Sequence, residues 1–168
     1  YPANFSSSAS FTEHSKSVPM KSSITALQND VEQAIEFFTS DELAIELPFM
    51  RSFPRNCCEV VSALLAEVLV AKYPEEEVVR IAASTASGGE QHFWVEVASK
   101  VIDPTSGQFD TVGGPLVCEI PSPLAITFSS TERQTPKVAV NELGTLGIST
   151  AVLSDVLKRL ATKLGIEP

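Results

Sequence analysis

The run FPRNCCEVVSALLAEVLVAKY, Phe53 to Tyr73, limits what this chain can fold into more than any other segment. Val61, Leu64, Leu65, Val68 and Leu69 recur at three- and four-residue intervals and form a wide apolar stripe, so the segment reads as a deeply buried helix. Such a helix must be covered by another layer. After Pro74 the period shortens to that of strands. Val78 to Ser84 reads as a strand, Ser87-Gly88-Gly89 as a turn, and His92 to Val97 with Lys100 to Asp103 as a hairpin. The expected fold class is therefore α+β, with the helix packed on an antiparallel sheet.

The rest of the chain adds helices. Ile24, Leu27, Val31, Ile35 and Phe38 mark one face of a helix that Ser22 or Ser23 can cap. A second short helix fits about Asp41 to Met50, ahead of Pro54. Pro104 to Lys137 is rich in Pro, Gly, Ser and Thr and holds short apolar runs at Leu116–Ile120 and Leu124–Phe128, read as loops and further strands. Ser149 or Thr150 can cap a last helix through about Leu164, with Val152, Leu153, Val156, Leu160 and Leu164 inward. The length of 168 residues fits one domain, 22–168, behind a Ser-rich leader, 1–21.

Charge and cysteine usage exclude some functions. The net charge is −9 with no cluster of Lys or Arg, which argues against a nucleic-acid partner. No apolar run reaches the length of a membrane span. Cys57, Cys58 and Cys118 are odd in number and two are adjacent, so they are no disulfide framework. A functional thiol or a reducing compartment fits better.

The position of the cysteines points to chemistry. Asn56 is the expected N-cap, with Glu59 completing a capping box, and both cysteines then lie in the first helical turn. Free amides and the positive end of the helix dipole favour a thiolate there. The cysteine's own amide points where an oxyanion would form. One cysteine can equally be a small core residue. Cys58 is the expected nucleophile, with Cys57 as the alternative.

His92 is the one histidine outside the leader. It opens a strand in which His92, Trp94 and Glu96 share a face, opposite Phe93, Val95 and Val97. A two-residue loop at Ala98-Ser99 puts Asp103 opposite Trp94 and diagonal to His92, within hydrogen-bond reach, whereas a three-residue loop turns Asp103 to the far face. Alone, Asp103 before Pro104 reads as a turn cap; beside His92 it orients the imidazole. Trp94 is core or pocket wall. Adjacent cysteines lack zinc spacing and the second histidine, His14, stands in the leader, so neither metal nor cofactor is expected. No G-x-S-x-G elbow or phosphate loop occurs.

A Cys at a helix start, a strand opening His-x-Trp and a strand ending Asp-Pro-Thr resemble the transglutaminase-like branch of the papain-like cysteine enzymes. The matching residues are Cys58, His92 with Trp94, and Asp103-Pro104-Thr105. Some bacterial members are similar in further positions, represented here by Phe53-Pro54, Ser62 and Gln108-Phe109. That alignment favours Cys58 over Cys57. A Gly often found shortly before the cysteine is Asn56 here, a residue that tolerates left-handed backbone. The resemblance covers residues 53–109.

The resemblance implies a papain-like fold and a Cys58–His92–Asp103 triad that attacks an amide through a thioester, with Gln91 and Gln108 as oxyanion or substrate candidates. The expected activity is a peptidase or glutamine deamidase acting on a protein, a host protein among the options. A transglutaminase or acyltransferase, or a non-catalytic module keeping the fold, stands as the alternative. The Ser-rich leader reads either as a flexible segment or as the export signal of a bacterial effector, so the chain is expected in the cytoplasm or exported without a cleaved signal peptide. Oligomeric state is left open.

Overall fold

A computed structural model describes residues 21–167; the leader reading and His14 lie outside the described residues. The chain opens with α1, Ile24–Phe38, whose start is capped by the Ser23 hydroxyl accepting from the Ala26 amide. Then come α2, Asp41–Glu46, and a 3-10 turn, Pro48–Ser52. The expected Asp41–Met50 helix is thus broken at Leu47, because Pro48 cannot donate the next helical bond.

The central helix α3 is Cys58–Lys72. Val60, Val61, Ala63, Leu64, Leu65, Ala66, Val68 and Leu69 are all buried, more than one stripe, so α3 is enclosed on nearly every side. Its enclosure comes from the sheet, α5 (Pro136–Glu142) and α6 (Thr150–Lys163).

Five strands follow: β1 Val78–Ser84, β2 Gln91–Val97, β3 Lys100–Asp103, β4 Leu116–Glu119 and β5 Ser130–Gln134. They form one antiparallel sheet in the order β4-β3-β2-β1-β5. To reach the far edge from β4, the chain passes through α4, a single turn at Leu124–Thr127. The α+β expectation holds at this level.

Each face of the sheet has its own core. Val78, Val95, Val97 and Ile102 pack with α3 and the other long helices. Val79, Ile81, Ala83, Trp94 and Val101 pack on the opposite side with Leu124 and Phe128. In 104–137, where loops and further strands are expected, one expectation changes and two elements take definite form. Leu124–Phe128 is not a strand but a helical turn ending in a buried aromatic; Ser130–Gln134 is a strand with almost no apolar content, and Pro136–Glu142 is a helix.

One polar cluster ties the helical layer together. Asp30, 1% exposed in the middle of α1, accepts from Lys72 Nζ at 2.5 Å and from Tyr73 Oη at 2.6 Å, while Lys72 also donates to the Leu164 carbonyl at 2.7 Å. Asp30→Ala would leave Lys72 and Tyr73 without their partner in a dry site. The expected cost is about 3 kcal/mol, read as a melting temperature lower by about 10 °C. An unchanged melting curve would show that the cluster does not hold α1 to α3.

Candidate active site

Two turns place the site's side chains. The first precedes α3. Asn56 is left-handed, φ 59°, and Cys57 occupies the N-cap position with φ −129° and ψ 2°. This corrects the expected cap: Asn56 turns the chain and its side chain caps nothing, so no capping box forms with Glu59. The left-handed turn itself survives without glycine, since Asn is one of the few residues that adopts it readily. Ser23, Ser40, Thr135 and Ser149 cap α1, α2, α5 and α6, whereas no side chain caps α3. Its first amides, beginning with that of Cys58, remain free to meet an anion.

The two cysteines differ sharply. Cys57 is 1% exposed and packs in the helical core, and burial, then the charges of Cys58 and Asp103, push its thiol up to about 12. It is a neutral core residue at neutral pH. Cys58, the first residue of α3, is only half-buried. Cys118 lies on β4, half-buried in the second core.

The second turn is the hairpin between β2 and β3. Val97 pairs with Lys100 and Val95 with Ile102, so the loop is the two-residue Ala98-Ser99. Ala98 has φ 53°, a positive value at the first central position, as a type II′ turn requires. This register sets Asp103 on the same face as His92, and the diagonal contact forms: His92 Nε2 lies 2.6 Å from Asp103 Oδ2.

Asp103 also caps its turn. Its Oδ1 accepts from the Thr105 amide and the Thr105 hydroxyl, both at 2.8 Å. The two roles weighed for this aspartate are therefore filled at once, one by each oxygen. Ser106 Oγ donates to the Asp103 carbonyl at 2.9 Å. Thr105 and Ser106 are fully buried, and the sequence assigned neither a role. The Asp-Pro-Thr spacing carried the signal, since an Asp side chain commonly accepts from the amide two residues on.

Aromatic rings enclose the imidazole. Phe109 stands edge-on at 4.7 Å between centroids, Phe128 lies at 5.4 Å and Trp94 at 6.0 Å. Trp94 is core, and at the same time a wall beside His92. Phe128 could not be read as a site residue from sequence, because it reaches the His92 face only through α4, on the crossing from β4 to β5. Gln91 sits exposed at the start of β2, and Gln108 donates its side-chain amide to the Thr105 carbonyl at 3.1 Å, which braces the turn. Among the described residues, no group of His, Cys, Asp and Glu is placed to hold a metal ion.

The electrostatics follow from this geometry. Burial among the rings lowers the His92 pKa, but the hydrogen bond to Asp103, the neighbouring Cys58 thiol and the charges of both outweigh it, raising the value from 6.5 to about 9. Asp103 occupies Nε2, so Nδ1 is the nitrogen left for Cys58, and it is buried without a hydrogen-bond partner. The folded pKa is raised, so the stabilisation is complete below pH 6.5 and is lost as pH rises through about 9. Stability measured by urea unfolding should fall between pH 6 and pH 8 in the wild type. The Asp103→Asn variant should lack that slope, and equal slopes would contradict the assignment.

Comparison with protein-family models, with curated proteins and with solved structures gives no match for this chain. Among the described residues no helix is long and apolar enough to cross a membrane.

Proposed function

We propose that this chain is a thiol-dependent amide hydrolase of the transglutaminase-like kind, acting on a protein as a peptidase or glutamine deamidase. The observation that carries the reading is the imidazole of His92. One nitrogen is fixed by a buried carboxylate, and the other is left unpartnered beside a half-exposed cysteine at the uncapped start of a helix.

In this reading, Nδ1 of His92 takes the Cys58 proton. The Cys58 sulfur then attacks the carbonyl carbon of the amide, and the oxyanion meets the free amides at the start of α3. The imidazolium, held by Asp103, gives its proton to the leaving amine as the C–N bond breaks. A thioester remains. Water, deprotonated by His92, attacks it and releases the acid and the free thiol.

The test is mass spectrometry of candidate proteins incubated with the wild type and with Cys58→Ala. A Gln-to-Glu mass gain that needs Cys58 indicates deamidation, and new Cys58-dependent termini indicate proteolysis. Adducts between protein amines and glutamines would shift the assignment to transglutamination. Identical products from both proteins would remove the enzymatic reading.

A further inference from the structure

Arg80, on β1, is fully buried, and the proposed chemistry does not use it. It stands opposite Val95 on β2 and Gln134 on β5, on the sheet face that α3 covers. A guanidinium taken out of water is costly unless its charge is paired and its N–H groups find acceptors. Three elements supply them here. Glu142, the last residue of α5, pairs its carboxylate with Nη2. The Gln134 side-chain oxygen accepts from Nε at 2.9 Å and also from Nη2. Nη1 faces the Glu59 carbonyl, in the first turn of α3, at 3.5 Å. The Phe93 ring closes one side of the group, its centroid 4.9 Å from the guanidinium carbon.

The contact with Glu59 bears on the site, because Glu59 directly follows Cys58. Ser62 is buried as well, and its hydroxyl donates to the same carbonyl at 3.1 Å. Two buried side chains thus converge on the carbonyl one residue beyond the thiol. Ser62 belongs to α3 itself, whereas Arg80 reaches across from the sheet.

A tie to the sheet matters at this end of the helix. The first amides of a helix have no intrahelical partners, and helix ends fray. No side chain caps α3. The imidazole, by contrast, is fixed without help from α3. Asp103 holds Nε2, and Phe109, Phe128 and Trp94 surround the ring. Whether the sulfur meets Nδ1 is therefore decided by where the first turn of α3 sits.

Resting on the proposed Cys58–His92 pairing, we propose that Arg80 is a positioning residue for the nucleophile: it holds the first turn of α3 to the sheet through the Glu59 carbonyl and so keeps the Cys58 sulfur against His92. Gln134 and Glu142 act one step further out, by fixing the guanidinium fork. Lysine cannot take this place, because one ammonium on a flexible stem does not match acceptors on three elements in the way the planar fork does.

The experiment compares the full chain with Arg80→Lys, Arg80→Met and Gln134→Met. Iodoacetamide labelling of Cys58 is timed by mass spectrometry at pH 6 and pH 9, and the His92 midpoint is followed by NMR. The ratio of the two labelling rates is the readout, since a partly unfolded population cannot imitate a change in the thiol's partner. In both Arg80 variants the ratio of the rate at pH 6 to that at pH 9 should fall by about 10²-fold, the size expected when a reacting group is displaced by about 1 Å. The His92 midpoint should drop from about 9 in the same variants, because Cys58 is one of the groups that raise it. Gln134→Met removes two of the acceptor contacts from a half-buried side chain on an edge strand, so it keeps the fold if the Arg80 variants do not, and it should shift both readouts the same way by less. Folded variants with lowered urea midpoints but the wild-type rate ratio and His92 midpoint would overturn the proposal, reducing Arg80 to a structural ion pair and leaving the enzymatic reading standing. Wild-type labelling no faster at Cys58 than at Cys118, and indifferent to His92→Ala, would instead remove the thiol reading on which it rests.

Discussion

On the proposed thiol mechanism, Cys58→Ala is expected to lower kcat for amide hydrolysis by about 10⁶-fold, while Cys57→Ala is expected to retain most of the activity. The asymmetry between neighbours is the informative part. Cys57 is sealed in the helical core with a thiol pushed up to about 12, so it can neither ionise at neutral pH nor meet a substrate. Cys58 lies half-exposed at the uncapped start of α3, beside the free nitrogen of His92. Losing Cys57 instead opens a small cavity, so that variant should show its defect in stability, by about 1 kcal/mol, and not in turnover. Steady-state kinetics on a substrate found by mass spectrometry, paired with urea unfolding, separates the two. Comparable losses of kcat in both variants would contradict the assignment.

Asp103→Asn is expected to cost about 10⁴-fold in kcat/KM with the fold retained. The size follows from which way the new amide must point. Oδ1 accepts two hydrogen bonds from Thr105, so the Asn oxygen has to take that place. Its NH₂ then faces His92 Nε2, which must act as acceptor. The imidazole proton moves to Nδ1, the nitrogen that should receive the thiol proton, and the base is blocked. The pKa of His92 should fall well below its value of about 9 in the same variant, because its strongest source of positive stabilisation is gone. An imidazole titration by NMR reads this directly. A variant with full activity and an unmoved His92 midpoint would show that the carboxylate serves only its turn.

Much of this arrangement is visible in the amino-acid order, and the reason is local. β1 and β3 fall at their expected residues, because a strand buried on both faces leaves a short, near-continuous apolar run bounded by turn residues. The hairpin register decides whether His92 meets Asp103, and it could be narrowed to loop lengths of one parity. Ala-Ser is poor chemistry for a tight turn, so the choice was settled only by the fold around it. The start of α3 misleads because Asn-Cys-Cys-Glu satisfies a capping-box pattern that the backbone does not use. β5 leaves no trace: Ser130 to Glu132 and Arg133 are exposed at a sheet edge, so no apolar residue was required. α4 is too short to show a period, and its contribution, Phe128 against His92, is long-range packing. Thr135-Pro136 is a sound helix start that the surrounding loop-rich composition obscured.

The most direct test of the account is iodoacetamide at pH 6, with the modification of each cysteine followed separately in the wild type and in His92→Ala. The account predicts rapid labelling of Cys58 alone, slowed strongly when the imidazole is removed, with Cys57 protected by burial throughout. Slow and equal labelling at Cys58 and Cys118, unchanged by His92→Ala, would contradict it.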